Sequence, residues 1–267
     1  MGAGSADVYD VAIIGAGPAG TAAALRAAEL GASVVVLEAD RTGGTCVNSG
    51  CVPTRVLAKT ARLMREVRTA DEYGITVSRQ RIDWPSTVAR VRSTVDRVRS
   101  IKREAERFAE AGIDLLLEGR ATFADEHTLV LESGRRIEAA SIIVCVGGHS
   151  RRLPIPGAEL ATVPDEVLDL PRLPDRVAVI GAGNTGAQLA TVFAAFGSAV
   201  TLLDVAPRVL MASDPSISEA VAAAFEEDGI RVRVGIDGVD ALRRRDDGRL
   251  DLDWRAAAAQ ELSLIHI

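Results

Sequence analysis

A chain of 267 residues with 48% hydrophobic side chains can fill one large core or two of ordinary size, which excludes disorder as the starting expectation. Its formal net charge of −6 argues against nucleic acid or a membrane surface as a partner. Lys59 and Lys102 are the only lysines among 31 basic residues, an arginine bias that reflects the base composition of the coding DNA rather than a binding patch. The opening MGAGSADVYD lacks the basic segment of a secretory signal, so a cytoplasmic compartment with reduced thiols is expected.

The first element is an apolar run, VAIIGAGPAG at 11–20, which reads as a buried strand entering a G-x-G-x-x-G turn at Gly15, Gly17 and Gly20. Pro18 and Ala19 lie within that turn; the helix-forming TAAALRAAEL follows, and a second strand, ASVVVLE, ends on Glu38. Next comes GGTCVNSGCVPTR, Gly43 to Arg55, with two of the chain's three cysteines five positions apart. The spacing of Val56, Leu57, Thr60, Leu63, Met64 and Val67 predicts a helix from Pro53 to about Val67. Asp83-Trp84-Pro85 opens a longer helix with Val88, Val91, Val95, Val98, Ile101, Ala105 and Phe108 on one stripe, ended by Gly112. IDLLLEGRATF, HTLVLESGRRIEAA and SIIVCVGG read as strands, the second turning back at Glu132-Ser133-Gly134. RRLPIPGAEL, with two prolines and a glycine, reads as a linker.

VAVIGAGNTG at 177–186 then repeats the first device. Gly181, Gly183 and Gly186 match the first three glycines at an offset of 166, which also carries Gly31 to Gly197 and Glu38 to Asp204. The uncharged run from Val177 to Leu203 contains Asn184, Gln188 and this fingerprint, so it reads as a buried strand and helix rather than a membrane span. Arg243-Arg244-Arg245 runs into Asp246-Asp247-Gly248 as a solvated hairpin turn. In each unit the first glycine permits a tight turn, the second lets a pyrophosphate approach the backbone, and the third lets helix pack on strand. The helix N-terminus offers free N–H groups to phosphate, and the terminal carboxylate can accept hydrogen bonds from ribose hydroxyls. Two dinucleotide sites are the expectation.

The cysteine pair admits three readings. Structural zinc needs ligands that are missing, because there is no second close pair and His127, His149 and His266 are scattered; no metal site is expected. A permanent staple closing so short a loop would add little to a cytoplasmic chain of this size. A redox pair fits better: Cys51 stands two residues before Pro53, in the first turn of a helix, where the dipole and free amides lower a thiol's pKa. Such a thiolate can exchange with a disulfide or donate electrons to an acceptor at the first dinucleotide site.

GGTCVNSGCVPTR resembles the active-site signature of the class I pyridine nucleotide-disulphide oxidoreductases, and the resemblance runs from about Asp7 to about Trp254. It implies an α/β chain of two Rossmann-like domains, FAD-binding then NAD-binding, with a helical hairpin after the redox motif. FAD would lie at the first fingerprint, with Glu38 on its adenosine ribose, Gly44 and Thr45 near its pyrophosphate, and Arg55 near its ring. Ala121 and Val146-Gly147-Gly148 would also touch it. Cys51 would face the flavin and Cys46 would exchange with substrate. NAD, rather than NADP, would lie at Gly181, Gly183, Asn184, Thr185 and Gly186, with Asp204 on its ribose. The substrate would be a small dithiol or disulfide, dihydrolipoamide-like, with mercuric ion as the alternative; a nucleotide-binding fragment without turnover is the alternative of another class.

Several positions depart from the family pattern: Arg55 for a lysine, Val146 for a threonine, Asn184 for a larger side chain and Gln188 for a glutamate. Cys145 reads as a small buried core residue. The expected division is 1–152 for FAD and 153–261 for NAD. The closing LSLIHI, 262–267, is expected to be a non-native tail from sequencing adapter. Members of the family continue into a dimerisation domain carrying a His–Glu pair and act as homodimers; that domain is expected to be absent here.

Overall fold

The computed structural model describes residues 6–78, 80–256 and, for the backbone alone, 259–265. The chain divides into two compact units, one built from 1–53 with 92–149 and the other from 54–91 with 150–267. The segment 54–91, placed by the sequence reading in a 1–152 module, groups with the second unit.

In the first unit, β1 (Asp7–Ile14) is followed by α1 (Pro18–Glu29), β2 (Val34–Leu37), α2 (Gly44–Asn48) and α3 (Cys51–Arg68), the last crossing into the second unit. After α4 (Trp84–Lys102) and α5 (Glu104–Glu110) come β3 (Asp114–Leu116), β4 (Ala121–Phe123), β5 (Thr128–Leu131) and β6 (Arg136–Val144). The sheet order is β3-β2-β1-β6-β5-β4. β1 pairs in parallel with β2 and β6, whereas β4, β5 and β6 are antiparallel neighbours. All four residues of β2 are buried, because a parallel strand at this position is covered on both faces. Val35 and Leu37 pack with Ala12, Leu129 and Ile137, while Val34 and Val36 pack with Ile13, Ala24 and Phe108 on the other side.

Three expectations are corrected here. IDLLLEGRATF, read as one strand, is β3 and β4, which lie at opposite edges of the six-stranded sheet. RRIEAA and SIIV form the single strand β6, whose first part pairs with β5 and whose whole length follows β1. The long helix to Gly112 is instead α4 and α5, separated by Arg103 in the left-handed region at φ 49°. Beyond that residue the register is rotated, so Glu104 is buried in place of Ala105, and Ile101, in the last turn of α4, is exposed. Val91 and Phe108, on either side of the break, are fully buried. On α3, Leu63 is exposed and Ala61 is buried.

The second unit carries β7 (Arg176–Ile180), α6 (Asn184–Phe196), β8 (Ala199–Asp204), α7 (Pro215–Glu227) and β9 (Arg231–Val234), with the strands parallel in the order β7-β8-β9. An antiparallel meander follows, β10 (Ile236–Arg244), β11 (Leu250–Ala256) and β12 (Ala259–Ile265). The expected charged hairpin joins β10 to β11. Residues 259–265 form one strand along β11, so the expected tail from 262 continues it, and 266–267 lie outside the described residues. Ala178 and Leu203 share a core with Ile236, Leu242, Leu252 and Trp254. The expected linker is strapped to β10: Leu242 N–H donates to Pro156 O at 2.9 Å, and a Cβ on Gly157 would lie 1.9 Å from Leu242 O. Among the described residues, no helix is long and apolar enough to cross a membrane.

Candidate functional site

The two fingerprints have the same local construction. Gly15 leaves β1 with φ +106°, where a Cβ would lie 2.4 Å from Cys145 O, so both conformation and space exclude a side chain. A Cβ on Gly20 would lie 1.8 Å from Gly15 O, which lets α1 begin against the turn. Gly17 differs. Its backbone is ordinary (φ −78°, ψ −177°), and the one atom near an added Cβ is Gly44 Cα at 3.7 Å. At Gly183 (φ −74°) nothing lies within 4 Å of an added Cβ, while one on Gly186 would lie 1.8 Å from Gly181 O. The middle glycines therefore keep an open space that folding alone does not require.

Each strand-end carboxylate is held by two backbone amides. Glu38 Oε2 accepts from Ala16 N–H at 2.8 Å and Oε1 from Asp40 N–H at 3.0 Å. Asp204 Oδ2 accepts from Ala182 N–H at 2.6 Å and Oδ1 from Ala206 N–H at 2.8 Å. Neither α1 nor α6 has an acidic residue in its first turn, so the positive end of each helix is left for an external anion. Pro18 and Ala19 begin α1; Asn184 and Thr185 begin α6. Open backbone at the middle glycine, an acid-free helix start and a fixed carboxylate fit a dinucleotide at each position.

The cysteine turn is built onto the first fingerprint. Gly43 N–H donates to Ala16 O at 2.9 Å, and a Cβ on Gly44 would lie 2.9 Å from Gly17 Cα. Thr45 O closes the turn by accepting from Ser49 N–H at 3.0 Å and Gly50 N–H at 2.6 Å. Cys46 is half-buried within α2, and Cys51 is exposed as the first residue of α3. The Cys46 thiol is raised above its ordinary pKa by its hydrogen bond to Cys51, by burial and by the Cys51 charge, while Lys102 pulls it down. Asn48, between the cysteines, donates through Nδ2 to Thr42 O at 3.1 Å and Arg41 O at 3.4 Å, and its Oδ1 accepts from Arg99 Nη2 at 2.7 Å.

Other expected positions fall nearby or apart. Arg55 is exposed, four residues along α3 from Cys51. Ala121 opens β4, and Val146, Gly147 and Gly148 follow the end of β6, with Val146 exposed and open space at both glycines. Cys145 is only partly buried and packs against the Ile13–Phe108 core. The sequence reading passed over Asn48, Arg99 and Lys102. The scarcity of lysine drew notice to residue 102 without a role, and no local signal links residue 99 to residue 48.

The profile of the pyridine nucleotide-disulphide oxidoreductases matches residues 9–256. The chain belongs to this family. Pyridine nucleotide-disulphide oxidoreductases similar to it include the dihydrolipoyl dehydrogenase of Chlamydia muridarum, 32% identical over 235 residues, 86% of this chain and 50% of that protein. The glutathione reductase of a Nostoc species is 32% identical over 224 residues, 84% of this chain and 48% of the relative. Among solved structures, the Cu(II) complex of a cysteine-to-serine mutant of the HOCl-induced flavoprotein disulfide reductase RclA from Escherichia coli is similar with a TM-score of 0.80 at 25% identity. That similarity covers 97% of this chain and 55% of the other. The chain spans about half the length of the curated relatives it matches.

Proposed function

We propose that this chain is the FAD- and NAD-binding part of a cytoplasmic disulfide oxidoreductase whose Cys46–Cys51 pair exchanges with a dihydrolipoamide-like dithiol, the parent enzyme acting as a homodimer. The observation that carries the reading is the docking of the cysteine turn on the first fingerprint, through the Gly43 N–H to Ala16 O bond and the contact of Gly44 with Gly17. FAD would be held at Gly15, Gly17, Gly20, Glu38, Gly44 and Thr45, with Arg55, Ala121 and residues 146–148 around it. NAD would be held at 181–186 and Asp204. FAD, when bound, supplies a two-electron acceptor able to take hydride from a nicotinamide.

The chain's own chemistry is thiol–disulfide exchange. A substrate thiolate attacks Cys46 Sγ of the Cys46–Cys51 disulfide, and Cys51 leaves as a thiolate. The second substrate thiol then displaces Cys46, forming the substrate disulfide; Cys46 takes up a proton, and two electrons now reside on the pair. The raised pKa of Cys46 suits it to hold that proton, and the Cys46–Cys51 hydrogen bond keeps the sulfurs in reach for reclosure.

NAD is favoured over NADP by the neighbours of Asp204. Its carboxylate would meet a 2′-phosphate with like charge. Arg208, the nearby cation, donates to Ser213 O at 2.8 Å, Ser218 Oγ at 2.7 Å and Met211 O at 3.0 Å, and so is committed to its own loop. The test is lipoamide-dependent NADH oxidation by the parent protein, with bound flavin measured in parallel. Cys46→Ser should abolish turnover and keep flavin, and Gly17→Arg should lose flavin. Full turnover in Cys46→Ser would overturn the reading.

A further inference from the structure

The turn that presents Cys46 is held from outside by a residue far away in sequence. Asn48 lies in the interval between the cysteines, and its amide is used at both ends: Nδ2 binds the carbonyls of Thr42 and Arg41, and Oδ1 accepts from Arg99 Nη2 at 2.7 Å. Arg99 stands on α4, 51 positions along the chain, within the same compact unit. Its Nη1 donates to Asp96 Oδ1 at 3.0 Å. Its Nε is fully buried and has no hydrogen-bond partner among the described residues. The side chain is 27% exposed, yet this one nitrogen is buried and unpaired, which costs stability rather than adding to it. Nη1 is held by Asp96 on the same helix while Nη2 fixes the amide of Asn48, and α4, a 19-residue helix, is a stiffer anchor than the five-residue α2.

We propose that Arg99 is a positioning residue for the redox pair, acting through Asn48 to hold the Cys46 turn in the geometry from which the Cys46–Cys51 disulfide closes. This rests on the reading that the two cysteines form a reversible disulfide. Closure is an intramolecular displacement. One cysteine thiolate attacks a sulfur of oxidised glutathione and releases one glutathione thiolate. The second cysteine then displaces the other, so glutathione disulfide gains two electrons and the pair loses two. The equilibrium measures how often Cys46 and Cys51 meet in the folded chain, which is the quantity the brace controls.

The experiment equilibrates the chain in glutathione buffers of graded ratio, traps free thiols with a mass-shifting maleimide, and reads the oxidised fraction by mass spectrometry. Thermal unfolding by circular dichroism accompanies each variant. Arg99→Met should disfavour the disulfide by about tenfold in the equilibrium constant, about 30 mV for this two-electron couple. Asn48→Ala should give a similar shift, the double variant no more than either single one, and Arg99→Lys should recover part of the loss. A purely structural role would instead lower the melting temperature and leave the midpoint unmoved. If Arg99→Met fails to fold, Asn48→Ala decides alone. Wild-type midpoints in the folded variants, or additive shifts in the double, would overturn the proposal while leaving the redox reading intact. A wild-type chain that forms no Cys46–Cys51 disulfide in any buffer would overturn both.

Discussion

Gly17→Ala separates folding from cofactor binding more cleanly than removal of any charged group. The added methyl finds an ordinary backbone at φ −78° and one neighbour, Gly44 Cα, at a van der Waals distance of 3.7 Å. Alanine narrows the unfolded ensemble, which stabilises by about 0.4–1 kcal/mol, and it is a poorer helix cap than glycine by a similar amount. The two offset to within about 1 kcal/mol, or about 2–4 °C in melting temperature for a chain of this size. The same change at Gly20 puts a methyl carbon 1.8 Å from Gly15 O, a backbone atom that cannot turn aside. Overpacking of that kind costs about 3 kcal/mol or more. At Gly17 the methyl would instead enter the space proposed for the pyrophosphate, and about 1–3 kcal/mol of lost contact would weaken binding by about 5- to 150-fold. Titration with FAD, followed by quenching of flavin fluorescence, and thermal unfolding of both variants make the assay. Flavin affinity within about twofold of wild type in Gly17→Ala, or equal loss of stability in Gly17→Ala and Gly20→Ala, would refute the reasoning.

The thiols and the coenzyme give two further tests. Because the hydrogen bond to Cys51 is the leading cause of the raised Cys46 pKa, Cys51→Ala should move the pH midpoint of Cys46 alkylation down. Lys102→Gln should move it up, since that cation opposes the rise; peptide mapping after iodoacetamide across a pH series reads both, and an unmoved midpoint in Cys51→Ala would remove the assigned cause. Asp204→Ala in the parent enzyme should narrow a preference for NADH over NADPH in kcat/KM by about tenfold, the loss of one close charge contact. A wild-type preference for NADPH would point to Arg208 instead.

The doubled fingerprint was legible because each part acts locally. A positive φ at Gly15, a contact between Gly20 and Gly15 O, and an acid at the end of the next strand are set within a few tens of residues, so they recur at a constant offset. The cysteine motif was legible for the same reason, together with the start of a helix at Cys51. Spacing failed where a single residue changes the register. The stripe from Val88 to Phe108 assumes one helix, and Arg103 in the left-handed region divides it. Pattern also failed at β6, where RRIEAA and SIIV lie on one strand that follows β1 throughout and has β5 beside it only at its start.

What the sequence by itself determined is therefore the chemistry available: two anion-ready helix starts, two strand-end carboxylates and a close thiol pair, each specified by residues near one another in the chain. Only the tertiary structure decided how those groups are held. Docking of Gly43 and Gly44 on Ala16 and Gly17, commitment of Arg208 to its own loop, and the brace from Arg99 to Asn48 all depend on which surfaces meet. A hydrogen bond between residues 51 positions apart exists only after α4 has packed in place, so no periodicity or motif in either segment could announce it.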